Sequence, residues 1–480
     1  MDNFQIALIC IYTACLLYIT AFALLQLNLL RAYRKHKKEK VLLAPLTDAD
    51  DHPMVTIQLP IFNERFVIDR LLECITRLDY PKERMEIQVL DDSTDETKEH
   101  AREKVAYYRN MGFDIHHIHR VDRSGFKAGA LKEGTQVCKG EFIAIFDADF
   151  LPEPDFLKRS MPYFNNPSVG VVQTRWEHIN EDYSLLTKLQ AFQLNVHFTV
   201  EQAGRCAAGH FLQFNGTAGI WRKRAIDEAG GWQSDTLTED LDLSYRAQLK
   251  GWKIQYVEDI VCPAELPAEM YGLKSQQFRW MKGGAENSRK LLPVILKSDL
   301  PFATKFHAFM HLVSSGIFLI IFWVGLISVP VLWSMDSMEL KATFLGFCLL
   351  GTLAVMSVFY EANAMMCWKE KHIQNRFLRF LLLFPTFMAI SMGFSFHNSI
   401  AVLEGYFGKK SAFIRTPKFN LTNFTDKILE NNYLVQKITM KTWIEAVICL
   451  YFLFAIALGF YIEYYSFLLF HVLLMFGYGL

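Results

Sequence analysis

The feature that most constrains this chain is its alternation of long apolar stretches with one long mixed stretch. Residues 4–30, from Phe4 to Leu30, carry no formal charge, and about 20 such residues suffice to cross a bilayer core. No basic residue precedes the run and no small-x-small site closes it, so it reads as an uncleaved membrane anchor and not as a signal peptide. The basic block RAYRKHKKEK follows at once, with Arg31, Arg34, Lys35, Lys37, Lys38 and Lys40. Membrane proteins keep such blocks in the cytoplasm, which sets residues 31–40 inside as a linker and the N-terminus outside. Residues 307–335, 340–366, 377–403, 443–461 and 466–480 are apolar again. The loops bearing Lys369, Lys371 and Arg376, and Lys409, Lys410, Arg415 and Lys418, are both basic. Both therefore belong inside, and the segment 377–403 between them, with Pro385, His397 and Asn398, is expected to be interfacial or re-entrant. The reading is five crossings, a re-entrant piece and a cytosolic loop at 407–441.

Composition agrees with a soluble part joined to a membrane part. Of 480 residues 51% are hydrophobic and 21% charged, too polar for a chain buried wholly in lipid and too apolar for disorder. The 50 basic and 50 acidic residues cancel, which argues against a general nucleic-acid binder. The nine cysteines show no paired or zinc-type spacing, consistent with a reducing compartment.

Residues 41–300 alternate strand and helix patterns. VTIQLPIF (55–62), MEIQVLDD (85–92), FDIHHIH (113–119), EFIAIFDAD (141–149) and VGVVQTRW (169–176) read as strands, and Arg65–Arg77 and Thr94–Asn110 as helices between them. Such alternation predicts a mostly parallel α/β sheet, with ligands held beyond the carboxyl ends of its strands. Asp91, Asp92, Asp147 and Asp149 fall there. Asp91-Asp92-Ser93 is equally a helix cap. Asp147-Ala148-Asp149 is more telling, because two carboxylates two residues apart on an extended chain can share a hard divalent cation. Thr238-Glu239-Asp240 is by itself an acidic helix start. Gln276-Gln277-Phe278-Arg279-Trp280 sets a fixed cation beside a flat ring, suited to phosphate and sugar, although Trp280 alone is equally a packing residue.

The ordered set resembles the membrane-embedded family-2 glycosyltransferases, which include the cellulose, hyaluronan and chitin synthases. Within that family it is most similar to the cellulose-synthase-like mannan, glucomannan and glucan synthases. LPIFNE (59–64), FKAGALKEG (126–134), VQTRWEHIN (172–180), FNGTAGIWR (214–222) and EAGGW (228–232) carry the closer likeness. The resemblance implies a GT-A-type transferase domain over residues 41–300, with a helical membrane domain over 1–30 and 301–480. It implies that Pro60, Asn63, Glu64 and Asp92 sit at the nucleotide. Lys127, Asp147 and Asp149 would meet the diphosphate, the two carboxylates with Mg²⁺ or Mn²⁺. Asp240 would be the general base, and Glu239, Gln276, Arg279 and Trp280 would serve the acceptor end and the leaving diphosphate. Phe413, Arg415, Thr416 and Lys418 look like the cytosolic gating loop of cellulose synthases. No further soluble domain is read after the membrane part, so a built-in second-messenger switch is not expected.

These residues imply one in-line displacement with inversion, giving a β-linked hexose polymer, of glucan or mannan type, from UDP-glucose or GDP-mannose. The partners are then a nucleotide-sugar, a growing glycan or a lipid acceptor, and membrane lipid, with no nucleic acid and with envelope export subunits left open. Trp323, Trp333, Tyr360, His397 and Asn398 are candidate linings of a membrane path, and equally packing or interface residues. The alternative is transfer of one sugar to a membrane lipid. The expected location is an integral membrane, bacterial plasma membrane with a cytosolic catalytic domain, or Golgi in a eukaryote.

Overall fold

The computed structural model describes residues 3–39, 43–48, 50–335, 341–366, 376–411, 418 and 439–480. Its centre is a seven-stranded sheet: β1 (Val55–Ile61), β2 (Met85–Asp91), β3 (Asp114–His119), β4 (Phe142–Ile145), β5 (Val169–His178), β6 (Gly219–Arg222) and β7 (Lys253–Ala264), in the order β3-β2-β1-β4-β6-β5-β7. β1 pairs in parallel with β2 on one side and β4 on the other. β1 (VTIQLPI) and β2 (MEIQVLD) alternate apolar and polar side chains, yet both are buried along nearly their whole length, as strands covered on both faces are, and the polar ones pair with each other as Thr56–Glu86 and Gln58–Gln88. Only β6 runs against its neighbours, antiparallel to both β4 and β5.

The five expected strands are present. β6 and β7 add to them, and each evades a pattern search for a physical reason. β6 is four residues long, and β7 is interrupted: its register against β5 jumps from Val257 opposite Thr174 to Val261 opposite Arg175. The bulge puts two acidic residues, Glu258 and Asp259, inside a strand, which breaks the alternation that would announce it. The helix Phe126–Val137 crosses the sheet closely at Gly134, where a Cβ would lie 2.6 Å from the Gln58 side-chain nitrogen. That nitrogen donates to Gln88 at 3.0 Å within the buried sheet.

Three helices are long and apolar enough to cross a membrane, Asn3–Lys38, Ser314–Ser334 and Met440–Tyr461, among the described residues. The first helix does not stop at the basic block. It continues to Glu39, so residues 31–39 are helical and not a linker. Its last turns are anchored: Tyr33 donates to Glu258 in the β7 bulge at 2.8 Å, and Arg34 pairs with Glu361. The apolar stretch expected from residue 307 also divides. Phe302–Leu312 is a separate helix, tied to the sheet domain by a 2.7 Å hydrogen bond between the Tyr245 hydroxyl and His311 Nδ1, and Ser314–Gly316 forms the tighter first turn of the span. The stretch 377–403 becomes Phe377–Gly393 and Ser395–Tyr406, bent by 47° at the break, a broken span or a re-entrant loop. The helix Lys341–Met366 packs on the first helix, and the shorter Leu468–Gly479 packs on Met440–Tyr461.

Candidate active site

Beyond the carboxyl ends of β1, β2, β4, β5 and β7 lies a cleft of about 250 Å³, roofed by the helix Met270–Lys297. Pro60, Glu64, Asp92, Lys127, Asp147, Asp149, Glu239, Asp240, Gln276, Arg279, Trp280 and Lys418 all line it. Residues from 60 to 418 in sequence are thus gathered round one space. Asn63 does not line the cleft. At a positive φ of 55°, it ties the turn after β1 to the end of β2, its amide donating to Ser93 Oγ at 2.9 Å and its side-chain oxygen accepting from Thr94. Phe413, Arg415 and Thr416 lie outside the described residues.

At one end Arg120, directly after β3, holds Asp92 in a two-pronged pair at 2.8 and 2.7 Å. Arg123 lies flat over Phe62, 3.4 Å from the ring centre. Asp91 faces elsewhere: one oxygen accepts from the Ser93 amide and the other meets His117 Nε2 at 2.8 Å. Asp91, His117 and His119 bring three ligand-type atoms within 4.8 Å of one another, a grouping found away from the cleft lining.

In the middle of the cleft two ammonium groups stand on the two carboxylates after β4. Lys127 Nζ donates to Asp147 and, at 2.9 Å, to the Gly216 carbonyl. Lys418 Nζ donates to Asp149 at 2.6 Å and to the Glu265 carbonyl at 2.9 Å. Burial alone would lower both lysines; the facing carboxylates outweigh it and hold both pKa values above the ordinary range. Asp147 leaves the sheet just where its amide is taken by Thr217 Oγ1 at 2.8 Å, which aims its side chain into the cleft. Each lysine takes one oxygen of its carboxylate, Asp147 Oδ1 and Asp149 Oδ2, and the second oxygens are hard donors of the kind a divalent metal accepts.

The far side is built differently. Glu239 and Asp240 open the helix Glu239–Leu249, side by side and without a lysine partner as close as those on Asp147 and Asp149. Burial first, and then the Glu239 carboxylate, push Asp240 up to about 7. Glu239 is raised too, chiefly by burial. Asp240 Oδ1 accepts from the Leu241 amide at 2.8 Å, which fixes the carboxyl group. Gly216 lets the backbone pass close by: at φ +78°, a Cβ there would sit 3.0 Å from Asp240 Oδ2. Above them Arg279, pushed down to about 10 by burial, remains a cation near neutral pH.

Arg120, Trp176, His178, Asn215 and Glu265 complete the cleft or its supports, and sequence reasoning does not single them out. Trp176 and His178 sit in VQTRWEHIN and Asn215 in FNGTAGIWR, stretches that carry the resemblance without any role being attached to them. Arg120 has a weaker signal, a basic residue immediately after a strand.

Residues 52–283 match the family model described as glycosyltransferase like family 2. Over 280 residues the chain is 42% identical to glucomannan 4-beta-mannosyltransferase 2 of Arabidopsis thaliana, covering 56% of this chain and 52% of that one. Over 251 residues it is 45% identical to glucomannan 4-beta-mannosyltransferase 1 of Oryza sativa subsp. japonica, covering 51% and 48%. The chain spans about half the length of the curated relatives it matches. Among solved structures, the mannosyltransferase PcManGT from Pyrobaculum calidifontis, in complex with GDP-Man and Mn²⁺, aligns with a TM-score of 0.54 at 20% identity. That alignment covers 82% of this chain and 100% of the other, and it is a likeness of fold.

Proposed function

We propose that this chain, whose residues 52–283 match the glycosyltransferase like family 2 model, transfers hexose from a nucleotide-sugar to a growing glycan and makes a β-linked polymer of mannan or glucan type. One observation carries the reading: Asp92, Asp147, Asp149, Asp240, Gln276, Arg279 and Trp280, scattered over the sequence, line a single cleft at the carboxyl ends of the strands. The mannosyltransferase names of the relatives favour GDP-mannose over UDP-glucose as donor.

In this reading the nucleotide lies along Pro60, Glu64 and Asp92, and Lys127 faces the diphosphate. Asp147 and Asp149 would hold Mg²⁺ or Mn²⁺, which when bound neutralises the leaving diphosphate; the GDP-Man and Mn²⁺ of the fold neighbour support that choice. Asp240, pushed up to about 7, is matched to accept a proton near neutral pH. It takes the proton of the acceptor hydroxyl as that oxygen bonds to the anomeric carbon. The bond from that carbon to the diphosphate oxygen breaks in the same event, and the diphosphate leaves with the electron pair. One displacement with one base inverts the anomeric centre, so an α-linked donor yields a β-linkage. Arg279 faces the departing charge and Trp280 offers a ring for the acceptor sugar to stack on.

The acceptor side of the cleft adjoins the membrane helices. The helix carrying Gln276, Arg279 and Trp280 packs along Ser395–Tyr406, where His397 meets the Lys274 carbonyl at 3.1 Å. This placement supports passage of the product into the membrane part, with the cleft on the cytosolic side. Detergent-purified protein supplied with Mn²⁺ and radiolabelled GDP-mannose or UDP-glucose tests the reading. A high-molecular-weight labelled product is expected. Label confined to lipid would replace the polymerase with a glycolipid synthase, and no transfer from either donor would sink the assignment.

A further inference from the structure

The grouping of Asp91, His117 and His119 stands apart from the cleft and takes no part in the proposed transfer. The sheet itself builds it. His117 and His119 are two apart on β3 and so project to one side of the strand. The parallel register sets Asp91, the last residue of β2, directly opposite His119. The side they share is that of Ile87 and Ile115, which belong to one buried core with Ala101 and Val105 of the helix Thr97–Asn110. Asp91 is fully buried, and the His117 and His119 side chains are 11% and 17% exposed on the last strand of the sheet.

Two imidazoles converge on a single carboxylate oxygen. His117 Nε2 lies 2.8 Å from Asp91 Oδ2 and His119 Nδ1 lies 3.5 Å from it. The first contact is a hydrogen bond. The second is not, and His119 Nδ1 is a buried nitrogen without a hydrogen-bond partner among the described residues. Buried polar atoms are normally partnered, so a nitrogen left open towards a carboxylate calls for something between the two. The other carboxylate oxygen, Oδ1, accepts from the Ser93 amide at 2.8 Å, which fixes the group as outer-shell hydrogen bonds fix metal ligands. A tetrahedral zinc ion, about 2.0–2.2 Å from imidazole nitrogen and carboxylate oxygen, keeps its ligand atoms about 3.4 Å apart. The 2.8 and 3.5 Å separations here are near that spacing, and all three atoms lie within 4.8 Å of one another. The donor set also differs in kind from that of the cleft. Asp147 and Asp149 offer oxygen alone, whereas two nitrogens and one oxygen favour zinc or cobalt over magnesium or manganese.

We propose that Asp91, His117 and His119 form a second metal site, separate from the catalytic cleft, which takes a divalent ion of the zinc type through Asp91 Oδ2, His117 Nε2 and His119 Nδ1 and leaves one position to water. The two partly exposed imidazoles admit the ion by rotating outward from the sheet edge. Once bound, it fastens β3 to β2 just where Arg120 follows. The Arg120 amide donates to the Asp91 carbonyl at 2.9 Å, and its guanidinium holds Asp92. The ion thus stiffens the Asp92 end of the cleft and stays outside the chemistry.

The full chain, free of any histidine tag, is stripped with EDTA in detergent, given excess Mg²⁺ and titrated with Co²⁺ and then Zn²⁺. The expected result is about one Co²⁺ per chain with the strong visible absorption of a four-coordinate ion, displaced by an equivalent of Zn²⁺. His117→Ala and His119→Ala weaken Co²⁺ binding at least about tenfold, while Asp149→Ala and His116→Ala leave it within about twofold. His116 is the control because it projects to the other side of β3, where it meets Asp114. Zinc-edge X-ray absorption of the wild type, which depends on no variant folding, should show two imidazoles and no sulfur. Zn²⁺ should also raise the melting temperature of the wild type and leave that of His119→Ala where it was. Absence of the Co²⁺ absorption would overturn the inference, as would sulfur in the zinc shell, which assigns the ion to cysteines. A signal lost in Asp149→Ala and kept in His119→Ala would overturn it too, by placing the ion in the cleft.

Discussion

Two pairs of acidic residues face the same cleft and live in opposite surroundings. Asp147 and Asp149 each meet a lysine ammonium, Lys127 on one and Lys418 on the other. Glu239 and Asp240 stand beside each other at the start of a helix, buried, and Asp240 is pushed up to about 7. The same functional group is therefore held in two different electrostatic states by its neighbours. In the proposed function the first pair takes the metal ion, and Asp240, crowded by burial and by another carboxylate, takes the proton.

The sharpest way to break this contrast is Asp240→Asn. It is expected to lower turnover by ~10²–10⁴ while the affinity for GDP or UDP stays near wild type; a variant that turns over normally would abolish the distinction between the pairs. Asp149→Ala should act on the other arm. Nucleotide binding should fall by about 10–100-fold in Mn²⁺ and lose its sensitivity to chelator, which titration with and without EDTA would read directly. The pH profile sharpens the comparison further. Because Asp240 must be unprotonated to act, turnover should decline about tenfold per pH unit below about 7. Glu239→Gln removes the like charge that raises Asp240, so the acid limb should move to lower pH; a limb that stays in place would deny the coupling. A smaller effect is expected from Lys418→Met, which removes the ammonium from Asp149 and should lower the Mn²⁺ concentration for half-maximal nucleotide binding a few-fold. Smallest is a stability effect. A fold that raises the Asp240 pKa favours its protonated form, so its charge costs stability above about 7 and the cost fades as the pH falls through that value. Asp240→Asn should accordingly melt higher than wild type at pH 8, with the gap narrowing below about 7 and closing near the ordinary carboxylate value of about 4.

Much of the site is legible in the sequence, because short motifs carry their own geometry. Asp147-Ala148-Asp149 closes an apolar strand, and two side chains at a spacing of two must project together. Gln276 through Trp280 sit on one helix, where their order decides which face they share. Asn63 stands next to Pro60 and Glu64 in the chain, yet its left-handed backbone turns it to Ser93 and Thr94 and away from the cleft. The hidden residues are those whose role depends on distant neighbours. Nothing local distinguishes Arg120 from any arginine after a strand until Asp92, 28 residues earlier, is seen to accept both of its hydrogen bonds. Likewise the four-residue β6 and the bulged β7 escape periodicity, since the sheet that stabilises them is made by other parts of the chain.

The membrane segments repeat this division at larger scale. Hydropathy locates apolar stretches well, because burial in lipid is read residue by residue. It cannot tell that the first helix runs on through the basic block to Glu39, since that depends on Tyr33 and Arg34 finding Glu258 and Glu361 far along the chain. Sequence by itself determined which residues are chemically able to act and that they belong to strand ends and helix starts of a sheet domain joined to membrane helices. Only the tertiary structure decided which carboxylates receive a lysine and which receive each other, because charge and burial are properties of the space around a group and not of its place in the chain.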